Sequence, residues 1–181
     1  MRMLNVYGDK VKLLIVSLLF FTFIFSSRLV AFDEAKNRES LRGVKAIAVV
    51  IRIENQGERY GLTEHEVQQD IELKLRMAGI EVLDKSEVAT KPYLPGLVFI
   101  ITPYDRQDSN GIIAFHMSLA VEQPVSLIRD NSVTLYAETW ETGYVGMVGQ
   151  TNFRNLRDDI KNLTDNFVNA YLSVNLKKEQ P

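Results

Sequence analysis

Five short apolar or alternating runs and two stretches with apolar residues at helical spacing organise this chain. The run Val44-Lys45-Ala46-Ile47-Ala48-Val49-Val50-Ile51-Arg52-Ile53 is short and rich in β-branched residues. It is expected to be a strand buried on both faces through its middle, ended by Asn55, Gly57 and Gly61. Thr63 then opens a helix, with Glu66 three residues on as the partner of a capping box. Val67, Ile71, Leu75 and Ala78 form one stripe along it, and Gly79 offers the left-handed position that ends it. The spacing predicts a helix over 64–78. Ile80-Glu81-Val82-Leu83 follows as a short strand, so the opening reads β-α-β with a parallel pair.

The loop from Asp84 to Pro95 is punctuated by Pro92 and Pro95. A second near-continuous apolar strand is expected over Gly96–Thr102, and Asn110-Gly111 marks a hairpin. From Ile112 onward, Phe115, Met117, Leu119 and Val121 alternate with smaller or polar residues, as a strand with one buried face requires. Pro124 demands an edge or a bulge. A turn at 129–132 leads to a last strand, Val133–Tyr144. On that strand Leu135, Ala137 and Thr139 are expected on one face, with Tyr136, Glu138, Trp140 and Thr142 on the other. Gly143, Gly146 and Gly149 read as a loosening before a final helix over 153–176, whose stripe is Leu156, Ile160, Leu163, Phe167, Ala170, Tyr171 and Val174. The order β-α-β-β-β-β-α predicts an α+β fold: a two-layer sandwich with a mixed five-stranded sheet and two amphipathic helices on one face. One domain is expected over 44–176, followed by a tail at 177–181.

The first 31 residues stand apart. Arg2, Lys10 and Lys12 precede the apolar run Leu13–Phe25, the pattern of a secretory signal, with a small-residue cleavage site at Ala31. The alternative is an uncleaved segment, 11–27, that anchors the domain to the inner membrane. Residues 32–43 are polar and read as a tether. An exported protein, periplasmic or secreted, is expected. Removing residues 1–31 takes four of 21 basic residues and one of 23 acidic ones, leaving 17 against 22, a net charge of −5. An acidic domain with no basic cluster is a poor match for nucleic acid. The chain has no cysteine, which removes thiol catalysis, disulfides and zinc–thiolate sites, and also attachment of a lipid through cysteine.

Motifs with chemistry are few. His65-Glu66 begins like a zinc-protease helix signature, but Gln69 stands where its second histidine belongs. His116 and Ser118 share a strand face, yet no G-x-S-x-G elbow accompanies them. No metal site, catalytic residue or cofactor is assigned on these patterns. Gly143, Gly146 and Gly149, spaced G-x-x-G-x-x-G before a helix, invite an anion cradle but lack the lysine of a phosphate loop. The aromatic residues Tyr136, Trp140 and Tyr144 would line one face of the last strand. Exposed, that row would anchor a partner; buried, it would be core.

The segment Ile71-Glu72-Leu73-Lys74-Leu75-Arg76-Met77-Ala78-Gly79-Ile80-Glu81-Val82-Leu83-Asp84, with the order of elements from Val44 to Val174, resembles the amino-terminal domain of TolB. It is also similar to related envelope assembly domains, among them the curli secretion lipoprotein and the penicillin-binding-protein activators. Leu73–Ile80 with Thr139-Trp140-Glu141-Thr142-Gly143 and Val168-Asn169-Ala170-Tyr171-Leu172 resembles a family of exported bacterial proteins of unassigned activity. The resemblance implies export and a fold, and no chemistry. The function expected is a non-catalytic envelope or secreted module that binds an envelope protein or a ligand. The alternatives are a secreted hydrolase using His116 with Ser118, and a small-molecule carrier with an apolar cavity between sheet and helices.

Overall fold

The computed structural model describes residues 33–84, 87, 94–105 and 110–176. The leading apolar segment, most of the loop after Asp84 and the tail at 177–181 lie outside the described residues. Among the described residues no helix is long and apolar enough to cross a membrane.

The expected α+β sandwich is present. In chain order the elements are α1 (Ala35–Glu39), β1 (Ala46–Ile53), a 3₁₀ turn (Gly57–Tyr60), α2 (Glu64–Met77), β2 (Glu81–Leu83), β3 (Gly96–Asp105), β4 (Ile112–Leu127), β5 (Asp130–Gly149), a 3₁₀ helix (Gln150–Leu156) and α3 (Arg157–Asn175). The sheet order is β2-β1-β3-β4-β5. β1 lies parallel to both β2 and β3, and the rest of the sheet is antiparallel.

Local signals explain most of these elements. Thr63 Oγ1 accepts the Glu66 N–H and caps α2. The Glu66 carboxylate turns back to the cap through Oε2, which accepts the Thr63 hydroxyl (3.1 Å), while Arg154 (2.5 Å) and Arg157 (3.4 Å) hold Oε1. Gly79 takes a positive φ of 76°, and the Ile80 N–H bonds back to the Leu75 carbonyl, which closes the helix in the Schellman manner. Asn110 and Gly111 both have positive φ, as a tight hairpin of that sequence needs.

The two long helices cover one face of the sheet. Val67, Ile71 and Leu75 from α2, and Ile160, Leu163, Phe167 and Ala170 from α3, are buried against Leu97, Phe99, Ile101, Phe115, Met117 and Leu119. Across the helix pair, Arg157 forks onto Asp70 (2.8 and 2.9 Å), and Lys74 pairs with Asp165. The opposite face of the sheet carries no described helix. β1 is therefore less buried than its composition suggested: Ile47 and Ala48 are buried, while Val50 is exposed.

The segment expected as a tether, 32–43, is folded from Asp33 onward. α1 lies against the root of β5, and Leu41 is completely buried in the core. Backbone groups of this segment and of the residue after it are tied to α3: Asn175 Nδ2 donates to the Leu41 carbonyl (2.9 Å), and Tyr171 Oη donates to the Val44 carbonyl (2.8 Å). One leucine among charged neighbours gives no periodicity to read, yet its burial is worth about 2 kcal/mol.

Candidate functional site

β4 and β5 are longer than the sheet they belong to. β3 pairs with β4 only as far as Gly96↔Glu122, while the β4–β5 ladder runs on to Leu127↔Asp130. Residues 123–137 therefore project as a two-stranded ribbon. A bulge marks its root. Val121 pairs with Trp140, but the next residue, Glu122, pairs with Glu138, leaving Thr139 as the extra residue. An extra residue reverses the parity of every side chain beyond it.

That reversal breaks the expected aromatic row. Trp140 is opposite Val121 and points into the core with no exposure, against Phe167 (centroids 5.4 Å, edge to face). Tyr144 is opposite Met117 on the same side, where it meets Phe115 edge-on at 5.9 Å and keeps 37% exposure. Burial, together with the charge and hydrogen bond of Asp159, pushes its phenol well above the usual range. Tyr136 is opposite Pro124 and lies on the other face, 51% exposed, its hydroxyl 3.4 Å from the Leu94 carbonyl. The three rings do not form one surface, and only Tyr136 belongs to the projecting ribbon.

The bulge is locked by the N-terminal segment. The Thr139 carbonyl accepts from Asn37 Nδ2 and Ser40 Oγ, both at 3.3 Å. Gln123 Nε2 donates to the Ser40 carbonyl (2.9 Å) and to Thr139 Oγ1 (2.8 Å). Beside them Asp33 receives a fork from Arg38 (2.7 and 2.6 Å) and the indole N–H of Trp140 (2.8 Å). Burial raises the Asp33 carboxyl, but the Arg38 and Trp140 hydrogen bonds and the Arg38 charge outweigh it and hold the group below the ordinary carboxylate range.

Beyond this lock the ribbon has two unlike faces. Val125 and Leu135 pair across one of them; past Ser126 the register shifts again, and Leu127 pairs with Asp130. Val133 and Leu135 keep 41% and 42% of their surface, and Ile128 at the turn is fully exposed. The other face carries Tyr136, Pro124 and a Ser126–Thr134 hydroxyl pair. At the turn Asp130 accepts from the Ser132 N–H and hydroxyl, which lowers its pKa.

The anion-cradle reading of Gly143, Gly146 and Gly149 is overturned. All three lie inside β5, paired with Ser118, Phe115 and Ile112, and none has a positive φ. A Cβ on Gly143 would stand 2.5 Å from the Met117 carbonyl, and one on Gly146 would stand 2.6 Å from the Phe115 ring. The first two glycines let strands approach closely and present no convergent N–H groups. His116 and Ser118 lie on the helix-free face. Ser118 is buried under Gly143, and no hydrogen bond joins the pair among the described residues. Glu141 is on the same face. Burial first, and then the charge of Glu138, raise its pKa against the opposing pull of His116. His65 is exposed in the first turn of α2. Among the described residues no group of three or more metal-ligating side chains occurs.

No protein-family model matches the chain, and no curated protein matches it. Several solved structures resemble it in part, among them these two. A dodecamer of a PelC variant from Paraburkholderia phytofirmans has 11% identity and a TM-score of 0.41, over 69% of this chain and 89% of that one. A minor lipoprotein from Acinetobacter baumannii has 12% identity and a TM-score of 0.33, over 77% and 99%. Likenesses of this size carry no argument about function.

Proposed function

We propose that the chain is an exported, non-catalytic protein-binding module of the bacterial envelope, and that the β4–β5 ribbon is its contact element. The observation that carries this reading is the group of exposed aliphatic side chains at the end of the ribbon: Val133, Leu135 beside the half-buried Val125, and the fully exposed Ile128 at the turn. A two-stranded hairpin is marginal in water by itself, and a contiguous apolar surface on a projecting element suits a protein interface. Export rests on the charged and then apolar leading segment. The non-catalytic part is supported by Ser118, which packs beneath Gly143 and so presents no open nucleophile to His116. The test is photo-crosslinking in cells from benzoylphenylalanine placed at Ile128 or Leu135, with Asn162 on the exposed side of α3 as the control. A discrete product from both ribbon sites and none from the control is expected. The same products from all three sites, or none from the ribbon, would sink the reading.

A further inference from the structure

The two edges of the sheet are protected unequally. β2, at one edge, is three residues long, and brevity is a common way to blunt an edge. β5, at the other, runs from Asp130 to Gly149 and pairs only with β4 among the described strands. The Gln150 N–H reaches the Gly111 carbonyl (2.7 Å), which sets the phase of the ladder beside Ile112↔Gly149. Even-numbered residues from Trp140 to Val148 therefore exchange backbone bonds with β4, while Glu141, Gly143, Val145, Met147 and Gly149 direct theirs outward. Among the described residues no backbone or side-chain group bonds to these outward groups. The free stretch has definite ends. At one, the Thr139 carbonyl is taken by Asn37 and Ser40; at the other, the strand gives way to the 3₁₀ helix at Gln150.

Between these ends the edge is unguarded. Charges, prolines and bulges are the usual devices against edge pairing. Residues 140–149 contain one charged residue, Glu141, and no proline, and the ladder has no bulge there. The stretch is also complementary to itself. Laid antiparallel on a second copy with Val145 opposite Val145, it sets Glu141 opposite Gly149, Met147 opposite Gly143 and Tyr144 opposite Gly146. Each large side chain of these pairs faces a glycine and fills the space that the glycine leaves on the pleat. The two Glu141 carboxylates are separated by the length from 141 to 149, about 27 Å at roughly 3.4 Å per residue, so no like charges meet. A centre at Gly143 needs the occupied Thr139 carbonyl, and a centre at Met147 leaves Glu141 and Gly143 unpaired.

We infer that the outer edge of β5, from Glu141 to Gly149, is an interface between two copies of this chain, which pair antiparallel about a two-fold axis at Val145 and join two five-stranded sheets into one. The interface goes beyond the ribbon reading and does not depend on it.

The test exploits the absence of cysteine from the chain. The full chain carries Val145→Cys or Met147→Cys, at positions of matched exposure (76% and 78%). It is oxidised in cells with copper phenanthroline and run on a gel without reductant. In the inferred pairing the two Val145 Cα atoms lie about 5.5 Å apart, within disulfide range, whereas the two Met147 positions are out of register. Val145→Cys is expected to give at least tenfold more disulfide dimer than Met147→Cys. Glu141→Cys co-expressed with Gly149→Cys gives a mixed dimer, reduced at least tenfold when both chains also carry Val145→Lys, which sets two ammonium groups at the axis. Leu135→Ser, which weakens the apolar tip of the ribbon, leaves the Val145→Cys dimer unchanged. Equal dimer from Val145→Cys and Met147→Cys overturns the inference, and so does none from either. A missing mixed dimer, or one untouched by Val145→Lys, overturns the two-fold register. Loss of the Val145→Cys dimer in Leu135→Ser assigns the contact to the ribbon and overturns the edge, so failure here is separable from failure of the ribbon reading.

Discussion

The two halves of β5 are one continuous strand with opposite fates. From Trp140 to Gly149 it is built into the sheet: Trp140 and Thr142 are buried, and Gly143 and Gly146 lie tight against β4. From Asp130 to Glu138 nearly every residue is exposed. Composition does not separate them, since both halves carry β-branched and aromatic residues. What separates them is one extra residue, Thr139, and the N-terminal segment that occupies its freed carbonyl. Burial in a strand is thus decided by register and by what lies over it, and only weakly by residue type.

The comparison can be broken most severely at its buried side. Trp140→Ala removes the largest fully buried side chain and leaves the Asp33 carboxylate without its indole donor. A loss of about 4 kcal/mol is expected, read as a lowered urea midpoint, whereas a loss under about 1 kcal/mol would mean that this half of β5 is held from elsewhere. A smaller effect is expected at the lock. Asp33→Asn weakens the charged fork to Arg38 and costs about 1–2 kcal/mol at neutral pH. The sign follows from the lowered folded pKa. Such a carboxylate stabilises the fold above its unfolded value near 3.9 and loses that contribution as pH falls through the lower, folded value. The gap in melting temperature between wild type and Asp33→Asn is therefore flat from pH 8 to 5 and closes in more acid solution. A gap that widens as pH falls would refute the arrangement. The least effect belongs to the ribbon: Leu135→Ser should change stability by no more than about 0.5 kcal/mol, measured by the same melts. A cost comparable to that of Trp140→Ala would make the ribbon part of the core.

Much of the fold was legible and much of the site was not, for one physical reason. Thr63, Val67, Ile71, Leu75 and Gly79 act within a few residues of one another, so their order along the chain already contains the helix. The bulge at Thr139 depends on partners about 100 positions away, Asn37 and Ser40, which no window around Trp140 can contain. Gly143 and Gly146 were misread for the same cause. As a local pattern they suggest freedom, while their actual reason is the backbone at Met117 and the ring of Phe115. The segment Ile71–Asp84, which carried the likeness to TolB, folds as the end of α2, Gly79 and β2, a pattern many folds share.

The placement of Asp33 has a consequence for reach. Asp33 lies at the foot of the ribbon, where it accepts the indole N–H of Trp140 next to the bulge. From Glu122 to Ile128 the ribbon extends roughly 20 Å at about 3.4 Å per residue. The apolar tip therefore stands about one ribbon length, roughly 20 Å, from the side chains that lock the bulge.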